Sequence, residues 1–219
     1  MNNFCRISVF YDGSYFSYSQ AYFYAEKKVG RLSFTLFHRL IEQFISSKEQ
    51  RYAMHRIVYA SWHQGLFPAS QTNEKQFFVE RNRHLDLMHA GIEPKYVPMA
   101  PSGHEKGVDV SLAVDVMERV IEGKIDVAVL VTGDGDLTPL ARTVMKHDVR
   151  VGVFYFEYDS PQRNSRVNRR LITACNYSFN VNELERDPRY ATVFKTLFRD
   201  HKSPPRKHRE FYPLAPLPR

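Results

Sequence analysis

The chain predicts an α/β fold: a three-layer sandwich with a central, mostly parallel sheet and helices on both faces. Two observations carry this expectation. Short β-branched and aromatic runs alternate with longer segments of helical period. Most of the short runs are also apolar almost without interruption, as strands covered on both faces should be.

The first strand spans Ile7 to Tyr11 and runs into Asp12-Gly13, a turn signal. The connection from Tyr11 to Leu32 carries Tyr15, Phe16, Tyr18, Tyr22, Phe23 and Tyr24, which marks a structured insert whose rings pack, with base stacking as the alternative use. Leu36, Phe37, Leu40, Ile41, Phe44 and Ile45 recur at helical spacing ahead of a strand from Ile57 to Ser61. A helix near Glu74 to His89 is expected to turn Phe77, Phe78, Leu85 and Met88 inward, before a strand from Glu93 to Pro98. The next helix has Val110, Ala113, Val114, Met117 and Ile121 as its expected apolar stripe. Val127 to Val131 is the fourth strand, and Leu137, Leu140, Ala141, Val144 and Met145 line the helix after it, with Pro139 suited to its first turn. Strands from Val151 to Tyr155 and from Tyr177 to Val181 complete the set. Beyond Val181 the periodicity weakens. Residues 1–182 are therefore read as the globular domain and 183–219 as a C-terminal extension ending, from Ser203, in a basic, proline-rich tail.

With 219 residues, 43% hydrophobic and 25% charged, the chain has the make-up of one soluble domain. Its longest apolar runs fall far short of the roughly 20 residues that span a bilayer, so no membrane association is expected. The N-terminus has no basic stretch leading into an apolar one, and a cytoplasmic protein is expected. Cys5 and Cys175 cannot build a disulfide framework, and neither belongs to a Cys-x-x-Cys pair. The nine histidines show no ligand spacing, which leaves oxygen ligands for any metal. The net charge of +7 is concentrated in two C-terminal segments. Residues 163–170 hold Arg163, Arg166, Arg169 and Arg170 and no acid, and the tail adds more cations. Localised positive charge points to a polyanion, nucleic acid above all, and the spacing 163, 166, 170 would align three arginines on one helical face.

In open parallel sheets, functional groups gather beyond the carboxyl ends of the strands. Asp12 follows the first strand, Asp134 and Asp136 follow the fourth, and the third leads through Lys106-Gly107 to Asp109 at a helix start. Singly, Asp12-Gly13 reads as a turn, and Asp109 and Asp136 as helix caps. Jointly they place four carboxylates at one edge. Their mutual repulsion is relieved by a divalent cation, and all-oxygen ligation favours Mg²⁺ or Mn²⁺. Such a site can activate water and steady the charge on a phosphodiester. Asp115 lies about 9 Å beyond Asp109 along the helix and about 140° from the expected apolar stripe, so a supporting or solvent-facing role is expected.

Val9-Phe-Tyr-Asp-Gly-Ser14, Lys106-Gly-Val-Asp-Val-Ser-Leu-Ala-Val-Asp115 and Val131-Thr-Gly-Asp-Gly-Asp-Leu-Thr-Pro-Leu140 resemble, in order and spacing, the motifs of the NYN domain, LabA-like branch of the PIN-like nucleases. The likeness spans roughly residues 5–182. It implies a PIN-like sandwich and a Mg²⁺- or Mn²⁺-dependent ribonuclease, endo- or exonucleolytic, with Asp12, Asp109, Asp134 and Asp136 as metal ligands and catalytic residues. Thr132 would steady a ligand or water, and Asp115 also matches a family position. The expected nucleic-acid contacts are Ser14, Tyr15, Lys106, Arg163, Arg166, Arg169 and Arg170. The family commonly reads Asp-Gly-x-Asn after the first strand, whereas Tyr15 stands at the Asn position here. A haloacid dehalogenase phosphatase would need Asp-x-Asp, which Ser14 breaks, and a Toprim site would leave Asp109 without a role. The expected function is hydrolysis of single-stranded RNA. The alternative is a weak or inactive NYN domain that binds RNA or protein, with a homo-oligomer or protein partner met through the tail.

Overall fold

Six strands form one parallel sheet in the computed structural model, which describes residues 3–99, 105–188 and 190–199. They are β1 (Phe4–Asp12), β2 (Met54–Leu66), β3 (Glu93–Pro98), β4 (Val127–Val131), β5 (Arg150–Tyr155) and β6 (Tyr177–Asn180), matching the six expected from the sequence. Their order is β3-β2-β1-β4-β5-β6, every pair parallel. The chain winds outward from β1 to β3, then returns to lay β4 on the other side of β1. That reversal opens a crevice beyond the carboxyl ends of β1 and β4, where such sheets bind their ligands.

Strand alternation divides the core. Cys5, Ile7, Val9 and Tyr11 of β1 enter one layer, covered by α1 (Gly13–Ala21), α2 (Phe34–Lys48) and α3 (Glu74–His89). Phe10 enters the other, under α4 (Val108–Ile121), α5 (Thr138–Met145) and α6 (Arg169–Ala174). Phe37, Leu40, Ile41, Phe44 and Ile45 of α2 are buried as expected, each worth about 1.5–3 kcal/mol of burial. Leu140, Ala141 and Val144 do the same for α5.

The aromatic insert is α1, a π-helical turn (Tyr22–Glu26) and a short strand, Arg31–Leu32, paired antiparallel with Phe198–Arg199. Phe16, Tyr22 and Phe23 are buried, so packing accounts for them, while Tyr18 and Tyr24 remain exposed. After β6, α7 (Glu183–Arg186) and α8 (Ala191–Thr196) return Leu184, Val193, Phe194 and Leu197 to the first core layer. The tail from Ser203 lies outside the described residues. Among those residues no helix is long and apolar enough to cross a membrane.

Three expectations need correction. Helix α3 has the expected bounds, but Phe77, Phe78, Leu85 and Met88 are exposed and Leu87 is its buried residue. The helix covers β3, an edge strand that is itself only partly buried, so most of its apolar residues find no floor. In α4 the inward residues are Val108, Leu112, Asp115, Val116 and Val120, whereas Val110, Val114 and Ile121 face out. Its sequence carries two overlapping apolar stripes, and a polar cluster described below decides between them. Finally, residues 163–170 are not one helix. Tyr158–Asp159 and Asn164–Ser165 form a hairpin, and α6 begins only at Arg169, where the Asn168 side chain accepts from the Arg170 amide. Arg163, Arg166 and Arg170 therefore share no helical face.

Candidate functional site

Strand β1 ends at Asp12 and the chain turns at once into α1. A Cβ on Gly13 would stand 2.6 Å from the Trp62 indole and 2.7 Å from the His63 carbonyl oxygen, so the turn against β2 requires glycine. Asp12 caps α1: one carboxylate oxygen accepts from the Tyr15 amide at 3.0 Å. The other accepts from the Thr132 hydroxyl at 3.1 Å. Thr132, fully buried at the end of β4, in turn accepts from the Asp134 amide at 3.1 Å. Asp134 accepts from the Asp136 amide at 2.9 Å, capping the 3₁₀ turn Gly135–Leu137. One run of hydrogen bonds thus joins the ends of β1 and β4 across the crevice.

Asp109 arrives from the opposite wall, in the first turn of α4. Gly107 caps that helix at a φ of 83°, a left-handed conformation that favours glycine. Asp109 is held above the ordinary carboxylate range by desolvation and by the charges of Asp134, Asp136 and Glu105. Asp12 is pushed up to about 6, chiefly by burial; the Tyr15 and Thr132 hydrogen bonds oppose the rise, and Asp109 and Glu105 add to it. The four expected aspartates therefore lie within one electrostatic neighbourhood. Among the described residues, however, no three His, Cys, Asp or Glu side chains are grouped so as to hold a metal ion as they stand.

Glu105 is the carboxylate that sequence reasoning missed. It accepts from the Ser14 hydroxyl at 2.7 Å and from the Gly65 amide at 2.8 Å, tying α1 to β2 beside Asp12. Its signal was its place directly before Lys106-Gly107, in the loop that delivers Asp109.

The expected nucleic-acid contacts are differently disposed. Tyr15 lays its ring against Gly133, while its hydroxyl accepts from the Phe156 amide at 2.8 Å and donates to the Phe156 carbonyl at 3.2 Å. It braces the crevice with its polar atom already engaged. Ser14 is held by Glu105, and Lys106 is exposed beside it. Arg163 is paired with Glu26, and Arg166 is exposed, 3.9 Å from Asp159. Arg169 and Arg170 are exposed on α6, which packs on the Gly135–Leu137 turn, and the Asn168 amide donates to the Gly133 carbonyl at 3.0 Å. These two arginines therefore flank the acidic loop.

Of the two roles expected for Asp115, supporting or solvent-facing, its burial excludes the second. It is 2% exposed and receives hydrogen bonds from Lys95 at 2.6 Å and from Tyr59 at 3.1 Å, with His63 Nε2 also at 3.1 Å. Burial raises its carboxyl, but the His63, Lys95 and Ser61 hydrogen bonds and the Lys95 charge outweigh it and hold Asp115 well below the usual range. His63 Nδ1 lies 3.1 Å from the Ser111 hydroxyl, so this cluster fixes the rotation of α4, two residues past Asp109.

The NYN domain family model matches residues 6–182 of the chain. Among solved structures, the chain is similar to a protein of unknown function, VPA0982 from Vibrio parahaemolyticus RIMD 2210633, at 19% identity and a TM-score of 0.55. That likeness covers 82% of this chain and 94% of the other, and it is a likeness of fold. No curated protein matches.

Proposed function

The chain belongs to the NYN domain family, and from that premise we propose that it is a metal-dependent ribonuclease of the LabA-like, PIN-like branch, hydrolysing single-stranded RNA. The observation that carries the reading is that two carboxyls near the crevice where the strand order reverses are held above the ordinary range: Asp12 chiefly by burial, with the charges of Asp109 and Glu105 adding, and Asp109 by burial, with those of Asp134, Asp136 and Glu105 adding. Carboxylates that raise one another's proton affinity are unstable company without a cation. The donor set is all oxygen, which suits Mg²⁺ or Mn²⁺. Asp12, Asp109, Asp134 and Asp136 would hold it, and the two exposed members, Asp109 and Asp136, would turn inward to do so. A bound ion supplies a water of lowered pKa and neutralises charge on the phosphate. Thr132 keeps Asp12 and Asp134 in register through its two hydrogen bonds. Lys106, Arg169 and Arg170 supply exposed positive charge to draw the strand toward an otherwise acidic edge.

The test is cleavage of a labelled RNA pool by purified protein in Mn²⁺ or Mg²⁺, with EDTA and Asp134→Asn as controls. Cleavage that needs the metal and is lost in the variant supports the reading. One observation favours a second reading, an NYN domain that binds RNA or protein without cutting: no three carboxylates are grouped for a metal among the described residues. Binding of the pool without cleavage in either metal would select it.

A further inference from the structure

We propose that Tyr18 is a stacking platform for an unpaired base of the RNA strand, held in place by Arg163. The inference rests on the RNA reading above and adds to it where a nucleotide beside the cleaved bond would lie.

The path of α1 is the first observation. It starts at Asp12, passes Gly133 and Phe156 through Tyr15, and reaches the 158–165 hairpin, where Tyr22 stacks on Tyr158 at 3.7 Å between ring centroids. The helix therefore runs across the carboxyl edge of the sheet, from β1 toward and beyond β5. A residue on its outer face belongs to the same edge as the carboxylates.

The rings of the insert differ in what they are free to do. Phe16 and Phe23 are in the core, Tyr15 is committed to Phe156, and Tyr22 to Tyr158. Tyr18 is 44% exposed. It lies four residues after Ser14, whose hydroxyl bonds Glu105 beside Asp12, so the two share a face of α1 about 6 Å apart along the axis.

Tyr18 is also preorganised. The Arg163 guanidinium stands 5.9 Å from its ring centroid. Arg163 is fixed in turn: its guanidinium pairs with Glu26, its amide donates to the Ser160 hydroxyl at 3.1 Å, and that hydroxyl also reaches Glu26. With its charge taken up by Glu26, Arg163 is better placed to brace the ring than to meet a phosphate. A ring held in one orientation loses little entropy on binding, and every base offers a π-face, so such a platform accepts any sequence.

The experiment measures binding of two fluorescein-labelled probes in EDTA, where cleavage is suppressed: a uridine 10-mer RNA and a 10-mer ribose-phosphate chain lacking bases. Wild type is compared with Tyr18→Ala, Tyr18→Phe and Tyr18→Trp, each checked for an unchanged melting temperature. The expected result is about tenfold weaker binding of the RNA by Tyr18→Ala, with binding of the abasic chain and the salt slope unchanged. Phe and Trp should retain binding, since they keep the ring. Arg163→Ala should weaken RNA binding by a smaller factor in the same base-dependent way. If Tyr18→Ala binds the RNA like wild type, or weakens both probes alike, the platform is overturned while the ribonuclease reading stands. Wild-type protein that neither binds nor cleaves RNA overturns both.

Discussion

His63 Nε2 lies 3.1 Å from Asp115 Oδ2 in the interior, with His63 fully buried and Asp115 2% exposed. Lys95 reaches the other carboxylate oxygen at 2.6 Å from the surface side. A carboxylate buried among its donors costs little while they remain, and a great deal once the set is broken. Asp115→Ala is expected to lose about 3 kcal/mol by denaturant midpoint at pH 7, because His63 and Lys95 lose their shared acceptor. A change within about 0.5 kcal/mol would be that of a surface residue and would remove the cluster from the account of α4. The folded carboxyl is depressed, so its contribution is present above the unfolded value, about 3.9, and is lost as pH falls below it.

Arg169 and Arg170 flank the acidic loop, while Arg163 is spent on Glu26. Replacing Arg169 and Arg170 with Ala should lower the salt slope of single-stranded RNA binding by about 0.7 per lost phosphate contact. Arg163→Ala should leave the slope nearly unchanged. Salt titrations of the two variants check this, and the opposite ranking would return the phosphate contact to Arg163.

The central strands were legible because they are apolar on both faces: Val127 to Val131 and Val151 to Tyr155 are buried throughout. Asp12, Thr132 and Asp134 were legible for the related reason that strand ends in a parallel sheet share one edge. Helix α4 was misread because Val110 and Val114 are as apolar as Leu112 and Val116. The choice between those stripes is made by His63 and Lys95, which lie 52 and 20 residues from Asp115 in sequence. Helical spacing carries no information about such distant partners. The arginine segment failed for a local reason: the Ser160 and Asn168 side chains cap turns at either end, and turn chemistry overrode helical spacing. Glu105 went unread because a loop acid has no periodicity to betray it.

Asp12 carries its charge at a cost, its carboxyl standing at about 6 because of burial and neighbouring acids. Asp12→Asn removes that charge and surrenders one charge-assisted hydrogen bond. The expected balance is a gain of about 1–2 kcal/mol at pH 7 without metal, a rise of roughly 2–8 °C in Tm. RNA cleavage should be abolished in the same variant. Thermal unfolding in EDTA and the cleavage assay check the two halves independently. A variant that is less stable and still cuts would mean that Asp12 is only a helix cap.

His38, on α2, offers a test of core electrostatics away from the crevice. Its ring lies 5.9 Å from the Tyr11 ring, and its Nε2 has no hydrogen-bond partner among the described residues. Burial presses its pKa down to about 4, against an ordinary value near 6.5. The sign follows from which state takes up the proton. Between those values the unfolded chain binds a proton that the folded one refuses, so this residue's contribution is complete above about pH 6.5 and declines as pH falls toward 4. The full loss amounts to about 3 kcal/mol. His38→Phe keeps an aromatic ring of similar size, removes the unpaired nitrogen and cannot titrate. Other groups titrate in the same range, so the informative quantity is the difference between the stability-versus-pH curves of wild type and variant, in which they cancel. That difference should be flat above pH 7 and should open steadily in favour of the variant below pH 6. Parallel curves from pH 7 to pH 4 would show that His38 takes up its proton in the folded state as readily as in the unfolded one, and that the pocket beside Tyr11 is open to water.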